Sequence, residues 1–394
     1  MQVEKLGDIC EIASGGTPKR SEDSYWKNGK IPWLKISDIK SKYIDKSEEH
    51  ITQKGLDNSS AKLFKKGTII YTIFATVGEV AILNIDATTN QAIAGLTIKD
   101  SAQINPSYLF YFLKSIKKQM HLLSRGVAQN NINLSVLRQI KVPIPDLNVQ
   151  ERIVNALDQM QNNIKLRQME LSKLDILIKA RFVEMFGDPL RNDRTWPISK
   201  LKLLTTKIGS GATPKGGKQS YKKEGITLVR SMNVHDGEFV YKDLAYIDTA
   251  QAHDLDNVEL QPKDVFINIT GASVARSCVI PDNILPGRVN QHVAIIRCKE
   301  NLLNYIFLNR LFLNSSFKQK LLAMGQAGGA TRQALTQEQL KKLNLILPPI
   351  ELQNEFASFV QQVDKSKVVN ASIMKYIISI RFYLYFKENK EGAR

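Results

Sequence analysis

Several patterns in this 394-residue chain have residue types that could do chemistry, and each fails at the spacing. Asn105-Pro106-Ser107-Tyr108 is one proline short of the Asn-Pro-Pro-Tyr with which amino-methyltransferases hold a flipped adenine, and a helix begins at its Pro106. Gly211, Gly216 and Gly217 before Lys218 approach a phosphate-binding loop, but Gly217 stands where the lysine is needed and Lys218 where the hydroxyl is needed. The histidines His50, His121, His235, His253 and His292 show no metal-ligand spacing, and Asp38-Ile39-Lys40 is too short a pattern to define a nuclease centre. Cys10, Cys278 and Cys298 lie far apart, which suggests neither a disulfide framework nor a zinc site. No catalytic residue, no metal site and no cofactor of its own is assigned to this chain.

What remains is recognition chemistry. Fifty-five Lys and Arg against 38 Asp and Glu give a net charge of +17, which points to a polyanionic partner. A membrane surface is the weaker reading: no apolar run approaches the roughly 20 residues of a spanning helix, and Met1 to Gly7 is no signal peptide. A reduced, cytoplasmic protein is expected. On nucleic acid, Lys and Arg neutralise phosphates, Arg grips guanine edges bidentately, and Asn and Gln pair with adenine edges. The candidates on polar loops beside strands are Thr17, Lys19, Arg20, Lys35, Gln91, Arg125, Gln129 and Asn130 in the first half of the chain. In the second half they are Thr213, Lys215, Lys218, Arg230, Asn233, Arg276, Gln291, Arg332 and Gln333. The competing reading is that the Gly-Thr-Pro loops and the Asn90-Gln91 and Asn290-Gln291 pairs serve the fold by capping turns, and that single lysines are merely solvated.

These loops need elements to position them. Ile31 to Ile36, Thr68 to Phe74, Glu79 to Leu83 and Ile93 to Ile98 are rich in β-branched and aromatic residues and read as strands. Pro106 followed by Tyr108, Leu109, Tyr111, Phe112 and Ile116 reads as an amphipathic helix packed on their sheet. Val142-Pro143-Ile144-Pro145 is an extended stretch that delivers the chain to a long helical pattern, Val149 to Phe186. Its seam steps by four and three through Ile153, Leu157, Met160, Ile164, Arg167, Leu171, Leu174, Ile178, Arg181 and Met185. A rod of that length needs a partner, and the same steps recur through Leu352, Phe356, Phe359, Val363, Ser366, Asn370, Ile373, Ile377, Ile380 and Leu384. In an antiparallel pair Arg167 would face the polar Ser366 and Asn370, a register device.

The flanks repeat as well. Pro145, Leu147, Val149, Gln150 and Ile153 are echoed by Pro348, Ile350, Leu352, Gln353 and Phe356; Arg181, Phe182 and Phe186 return as Arg381, Phe382 and Phe386. Ser14-Gly15-Gly16-Thr17-Pro18-Lys19 returns as Ser210-Gly211-Ala212-Thr213-Pro214-Lys215, and Tyr108-Leu109-Phe110 as Tyr305-Ile306-Phe307. The polar loops 125–133 and 325–333 occupy matching places. The repeat is a whole domain plus helix, so the expected division is a first domain at 1–148, a helix at 149–187, a second domain at 188–347 and a second helix at 348–394.

Two diverged modules, each opening near Ser-Gly-x-Thr-Pro-Lys and closing in Pro, x-x-x-Gln and a long helix, resemble the specificity subunit of a type I restriction-modification enzyme across essentially the whole chain. The resemblance implies an α+β chain of two α/β target recognition domains, separated by two helices that form an antiparallel coiled coil with internal pseudo-twofold symmetry. It further implies that each domain reads one half of a split site in double-stranded DNA while the coiled coil sets the spacing. Two modification subunits that use S-adenosylmethionine, and motor-nuclease restriction subunits that use ATP and Mg, would supply catalysis. The first module carries the fuller signature, with Tyr25-Trp26, Gly29 and Ile31-Pro32-Trp33; the second has Lys222 at the tryptophan position and Thr227 at the proline position. The alternatives are the recognition subunit of a related restriction-modification enzyme, or a non-enzymatic basic coiled-coil adaptor that binds DNA.

Overall fold

The structure, a computed structural model, describes residues 2–124, 131–214, 216–326 and 333–391, and side chains among these except at 123, 124, 218 and 378–391. The chain divides into two compact units, Met1–Arg167 with Ser372–Arg394, and Gln168–Ala371.

In the first unit the chain runs through strands β1 (Gln2–Lys5), β2 (Cys10–Ser14), β3 (Ile31–Leu34), β4 (Tyr43–Ile44), β5 (Glu49–Ile51), β6 (Ile69–Thr72), β7 (Val80–Leu83), β8 (Thr88–Thr89) and β9 (Ile93–Ile98). Helix α1 (Pro106–Ser115) and strand β10 (Lys141–Ile144) follow, and then the long helix α2 (Leu147–Phe186), whose residues from Gln168 on belong to the second unit. Among the described residues the strands form a sheet in the order β2-β9-β6-β7-β4, a smaller one in the order β5-β3-β8, and the ribbon β1-β10. The expected strands are present with trimmed ends. Strand β2 escaped the sequence reading: it is short, and its alternation is carried by Cys10 and Ile12 alone, both buried. The proline stretch before the long helix is more than extended chain, since Val142 and Pro143 pair antiparallel with Glu4 and Val3.

Helix α1 starts where Asn105 accepts from the Ser107 and Tyr108 amides at 2.8 and 3.3 Å, with Pro106 in the first turn. It packs on the sheet as the spacing suggests, but it is covered on more than one face, because Tyr108 through Leu113 are all buried. Its core joins Leu109, Leu113, Ile69, Tyr71 and Leu96 to Val154 and Leu157 of the long helix.

The second unit repeats the order with β11 (Ile198–Lys200), β12 (Thr205–Ser210), β13 (Ile226–Val229), β14 (Ala245–Ile247), β15 (Val265–Asn268), β16 (Ser277–Val279), β17 (Gly287–Val289) and β18 (Val293–Cys298). Helix α3 (Tyr305–Leu313), strand β19 (Asn344–Ile346) and the long helix α4 (Ile350–Glu391) follow, the residues of α4 from Ser372 on belonging to the first unit. Its sheets, β12-β18-β15-β16, β14-β13-β17 and β11-β19, correspond strand for strand to those of the first unit, which adds β4 beside β7.

Within the second unit the later part of α2 and the early part of α4 pair antiparallel: Arg181 bonds Glu355 at 3.0 Å and Lys367 bonds Asp175 at 2.6 Å, so one number rises as the other falls. Ile178, Phe356 and Val363 are buried, and Leu171, Leu174 and Phe359 half-buried. Elsewhere on the helices Leu157 and Ile164 are buried and Ile153, Met160, Arg167, Ile373 and Ile377 half-buried; the side chain of Ile380 lies outside the described residues, as do those of Arg381, Phe382, Phe386 and Leu384. Ser366 corrects the expected seam. It is exposed and bonds back to Gln362 within its own helix, while Lys367 takes the inward place between Asp175 and Asp364. The apolar stripe is also broader than a two-position seam, because Phe182 and Phe186, off it, pack against Phe307 of α3 and Phe356 with ring centroids 4.9–5.8 Å apart.

The shared proline-to-glutamine flank has a definite job. The Gln150 side chain, fully buried, accepts from the Asn105 amide at 2.8 Å and donates to the Gln103 and Pro145 carbonyls, each at 2.8 Å. Gln353, equally buried, accepts from Asn304 at 2.9 Å and donates to Leu302 and Pro348 at 3.2 and 2.8 Å. Truncation strands buried backbone groups, so Gln150→Ala and Gln353→Ala should each lower unfolding stability by about 2–4 kcal/mol. Urea denaturation checks this, and losses under about 0.5 kcal/mol would show that the bonds are incidental.

Candidate nucleic-acid interface

In each module three loops converge at the ends of neighbouring strands. Strands β3 and β8 run parallel, with Trp33 opposite Thr88 and Leu34 opposite Thr89, and β13 and β17 do the same. The loops leaving them are tied together where the Asn90 amide donates to Leu34 at 2.9 Å and the Asn290 amide to Val229 at 3.0 Å. The loop leaving β2 joins through the Gly15 amide on Ile93 and the Gly16 amide on Thr89; in the second module Gly211 donates to Asn290. Glycine is required by proximity: a Cβ on Gly15 would lie 2.3 Å from the Thr89 carbonyl oxygen, and one on Gly211 only 1.7 Å from that of Val289. Two later residues join the same corner: Ile132 donates to Ile73, which itself donates to Ala92, and Leu335 donates to Ile269, which donates to His292.

This architecture sorts the candidates. Asn90 and Asn290 turn inward and accept from the amides of Ala92 and His292, a turn-capping role. The glutamines beside them are exposed and are held by the threonines of the Gly-x-Thr-Pro loops: Thr17 Oγ1 donates to Gln91 Oε1 at 2.5 Å, and Thr213 bonds Gln291 in the same way. Each amide is thus tethered through its oxygen, and Nε2 is the donor end of the group.

Around this pair the modules differ. In the first, Arg20 is no solvated cation. Its guanidinium lies 3.7 Å from the Trp26 ring centre and 4.6 Å from that of Trp33, and its Nη1 is 2.5 Å from Glu49. Lys35 binds the same carboxylate at 2.7 Å. Hydrogen bonds from Arg20 and then Lys35 hold the Glu49 carboxyl below its usual range, and the bond to Glu49 raises the Lys35 ammonium, so that carboxyl and that ammonium are both charged at neutral pH. In the second module Arg230 lies 5.4 Å from the Tyr221 ring centre and donates to the Asp243 carbonyl, while Lys222 pairs with Asp248 at 3.1 Å.

Asn233 is a correction. It is fully buried, accepting from the Arg230 amide at 3.1 Å and donating to Val240 and Lys242, so its amide is spent on bracing a turn. Lys19 is exposed, and Arg276 and Gln333 are half-buried; their carbonyls accept from the amides of Asn268 in β15 and of Gly271. Arg125, Gln129, Asn130, Lys215 and Arg332, and the side chain of Lys218, lie outside the described residues. Glu49 carries no recognition signal in the sequence, where cations and amides are the candidates; it comes to Arg20 and Lys35 only through the pairing of its strand with the one carrying Trp33. Among the described residues no cluster of His, Cys, Asp or Glu could hold a metal ion, and no helix is long and apolar enough to cross a membrane.

Residues 1–175 and 194–375 match the type I restriction modification DNA specificity domain, once per module. The chain belongs to that family. The MjaIX type I restriction enzyme specificity subunit of Methanocaldococcus jannaschii is 25% identical over 407 residues, covering 96% of this chain and 90% of the relative. The MjaX subunit of the same organism, a putative member, is 23% identical over 399 residues, covering 92% and 86%. Among solved structures, the S subunit from M. genitalium shares the fold at a TM-score of 0.53 and 14% identity, covering 98% of this chain and 94% of that one. A chain from a structure titled for complex assembly and conformational transition of the type I R-M system does so at a TM-score of 0.64 and 17% identity, covering 98% and 96%.

The specificity-domain fold thus separates residues that brace loops from those that face outward. Asn233→Ala should cost about 1–3 kcal/mol of stability through unpaired backbone groups, whereas Gln291→Ala should leave stability within about 0.5 kcal/mol and weaken DNA binding. Thermal unfolding beside a binding titration distinguishes them. Equal unfolding losses in both variants would remove the distinction.

Proposed function

We propose that this chain is a non-catalytic specificity subunit that reads a bipartite site in double-stranded DNA, one half per module, and that the paired long helices fix the unread gap. The observation that carries this reading is the repetition of one loop corner, with its outward Thr–Gln pair, in two modules whose other loop residues have diverged. An amide held by a hydroxyl donates in a fixed direction, as base-edge recognition requires, and a net charge of +17 supplies attraction to phosphates. Catalysis belongs to partners: two methyltransferase subunits using S-adenosylmethionine, and restriction subunits using ATP and Mg.

Stable co-purification with a methyltransferase subunit, and methylation only by the assembled complex, test the assignment; methylation by this chain alone would overturn it. Binding should be bipartite and should fall by roughly 10³-fold between low and moderate salt, as several phosphate contacts imply. A footprint over one unbroken block of bases would count against two reading heads. A heptad inserted near Leu171 and matched near Ile373 adds about 10 Å to each helix, so both half-sites should persist with a gap wider by roughly three base pairs. Mapping of methylated adenines reads that gap directly, and an unchanged gap with activity retained would remove the helices as its ruler.

A further inference from the structure

The registers of the two modules align residue by residue. Ile31 pairs with Ile51 as Ile226 pairs with Ile247, and Trp33 stands between Glu49 and Thr88 as Leu228 stands between Ala245 and Arg288. Under this correspondence Thr17 and Gln91 return as Thr213 and Gln291, yet the surroundings of Glu49 do not return. Trp33 becomes Leu228 and Glu49 becomes Ala245; in the opening loop Arg20 becomes Gly216 and Trp26 becomes Lys222. The first module therefore carries one assembly, a tryptophan-walled arginine held by a carboxylate; the second has neither the tryptophans nor the carboxylate, and at the position of Lys35 it has Arg230 over Tyr221 instead.

That assembly is built for direction. Trp26 and Trp33 meet edge to face at 5.1 Å and wall the Arg20 guanidinium, while Trp26 Nε1 is tied to the Lys19 carbonyl at 3.1 Å. One terminal nitrogen is spent on Glu49, and the Arg20 side chain remains 51% exposed, so the rest of its donor fork meets solvent. An exposed ion pair adds little to stability. A carboxylate also opposes phosphate binding, so a phosphate clamp would be better without Glu49. Fixing a guanidinium in one orientation instead removes the ordering cost of bidentate recognition, and the base edge that presents two acceptors to such a fork is guanine N7 and O6.

Resting on the proposed reading of a bipartite site, we propose that Arg20 reads a guanine in the half-site of the first module, with Glu49 as a positioning residue and Trp26 and Trp33 as its walls, and that the half-site of the second module is read without this contact. The two Thr–Gln pairs then supply what the halves share, and the Glu49 assembly what distinguishes them.

The test uses the full chain assembled with its modification subunits on a duplex library randomised across both half-sites. Arg20→Lys keeps the charge and loses the planar fork, so preference for guanine at one position should fall roughly tenfold or more, with the salt dependence and the other half-site unchanged. Glu49→Gln should relax the same position and no other. The unaltered half-site reports in each experiment that the variant is folded. Uniform weakening over all sequences by Arg20→Ala, or uniform tightening by Glu49→Gln, would identify a phosphate contact and overturn the assignment, as would an unchanged profile for both arginine variants. A wild-type complex with no two-part preference would overturn the proposed function itself and this inference with it; a two-part preference indifferent to Arg20 would remove only Arg20.

Discussion

Each unit hangs on a buried carboxamide. Gln150 and Gln353 have one acceptor and two donor directions, and each spends all of them on backbone groups: an amide just before helix α1 or α3, a carbonyl two residues earlier, and the carbonyl of the proline that precedes the long helix. A leucine of similar size would pack there but would leave those groups unpaired, and a buried unpaired amide costs more than the packing returns. The bonds are directional, so they fix the angle at which each long helix leaves its module, which apolar contact alone does not. The cap of α1 by Asn105, and of α3 by Asn304, uses the residue whose amide the glutamine holds, so helix start and module attachment are one structure.

The loop corner follows the same logic on a smaller scale. Gly15 and Gly211 let the opening loop close onto the end of strand β8 or β17, and Asn90 and Asn290 turn that end back by accepting from the amide two residues on. With the backbone thus determined, the next residue projects outward, and the threonine of the opening loop is in place to hold its amide. Adjacent residues therefore divide the work: the asparagine maintains the turn and the glutamine is available to a ligand. The sequence motif alone leaves the two equivalent.

Legibility followed period and spacing. The long helices could be read from four-and-three steps sustained over many turns, and the duplication from flanks that share residues no amphipathic pattern requires. Strand β2 could not, because five residues with two inward positions carry too little periodicity. Phe182 and Phe186 lie off the heptad seam because α2 serves two masters, pairing with α4 and closing the core of the second module, and a one-partner pattern cannot anticipate that. Asn233 looked like a reader because the same amide chemistry serves turns and bases; burial decides between them, and burial is a tertiary property.

Charge completes the picture by acting at two ranges. Much of the arginine is consumed internally: Arg288, with 7% of its side chain exposed, binds Asp256 and Glu259; Arg297 binds the fully buried Asp264; and Arg310 binds Asp364. Such pairs cancel within a few ångströms and contribute little to the far field, which is set by the uncompensated excess over the whole chain. That excess draws in a polyanion without discriminating among sequences, and salt screens it over about 10 Å. Discrimination must then come from groups whose direction is fixed at contact, and on the proposed reading these are the amides held by threonines and the guanidinium paired with Glu49. Placing a carboxylate beside Arg20 and Lys35 in a chain of net charge +17 gives up a little of an attraction that is in surplus and gains orientation, which is scarce.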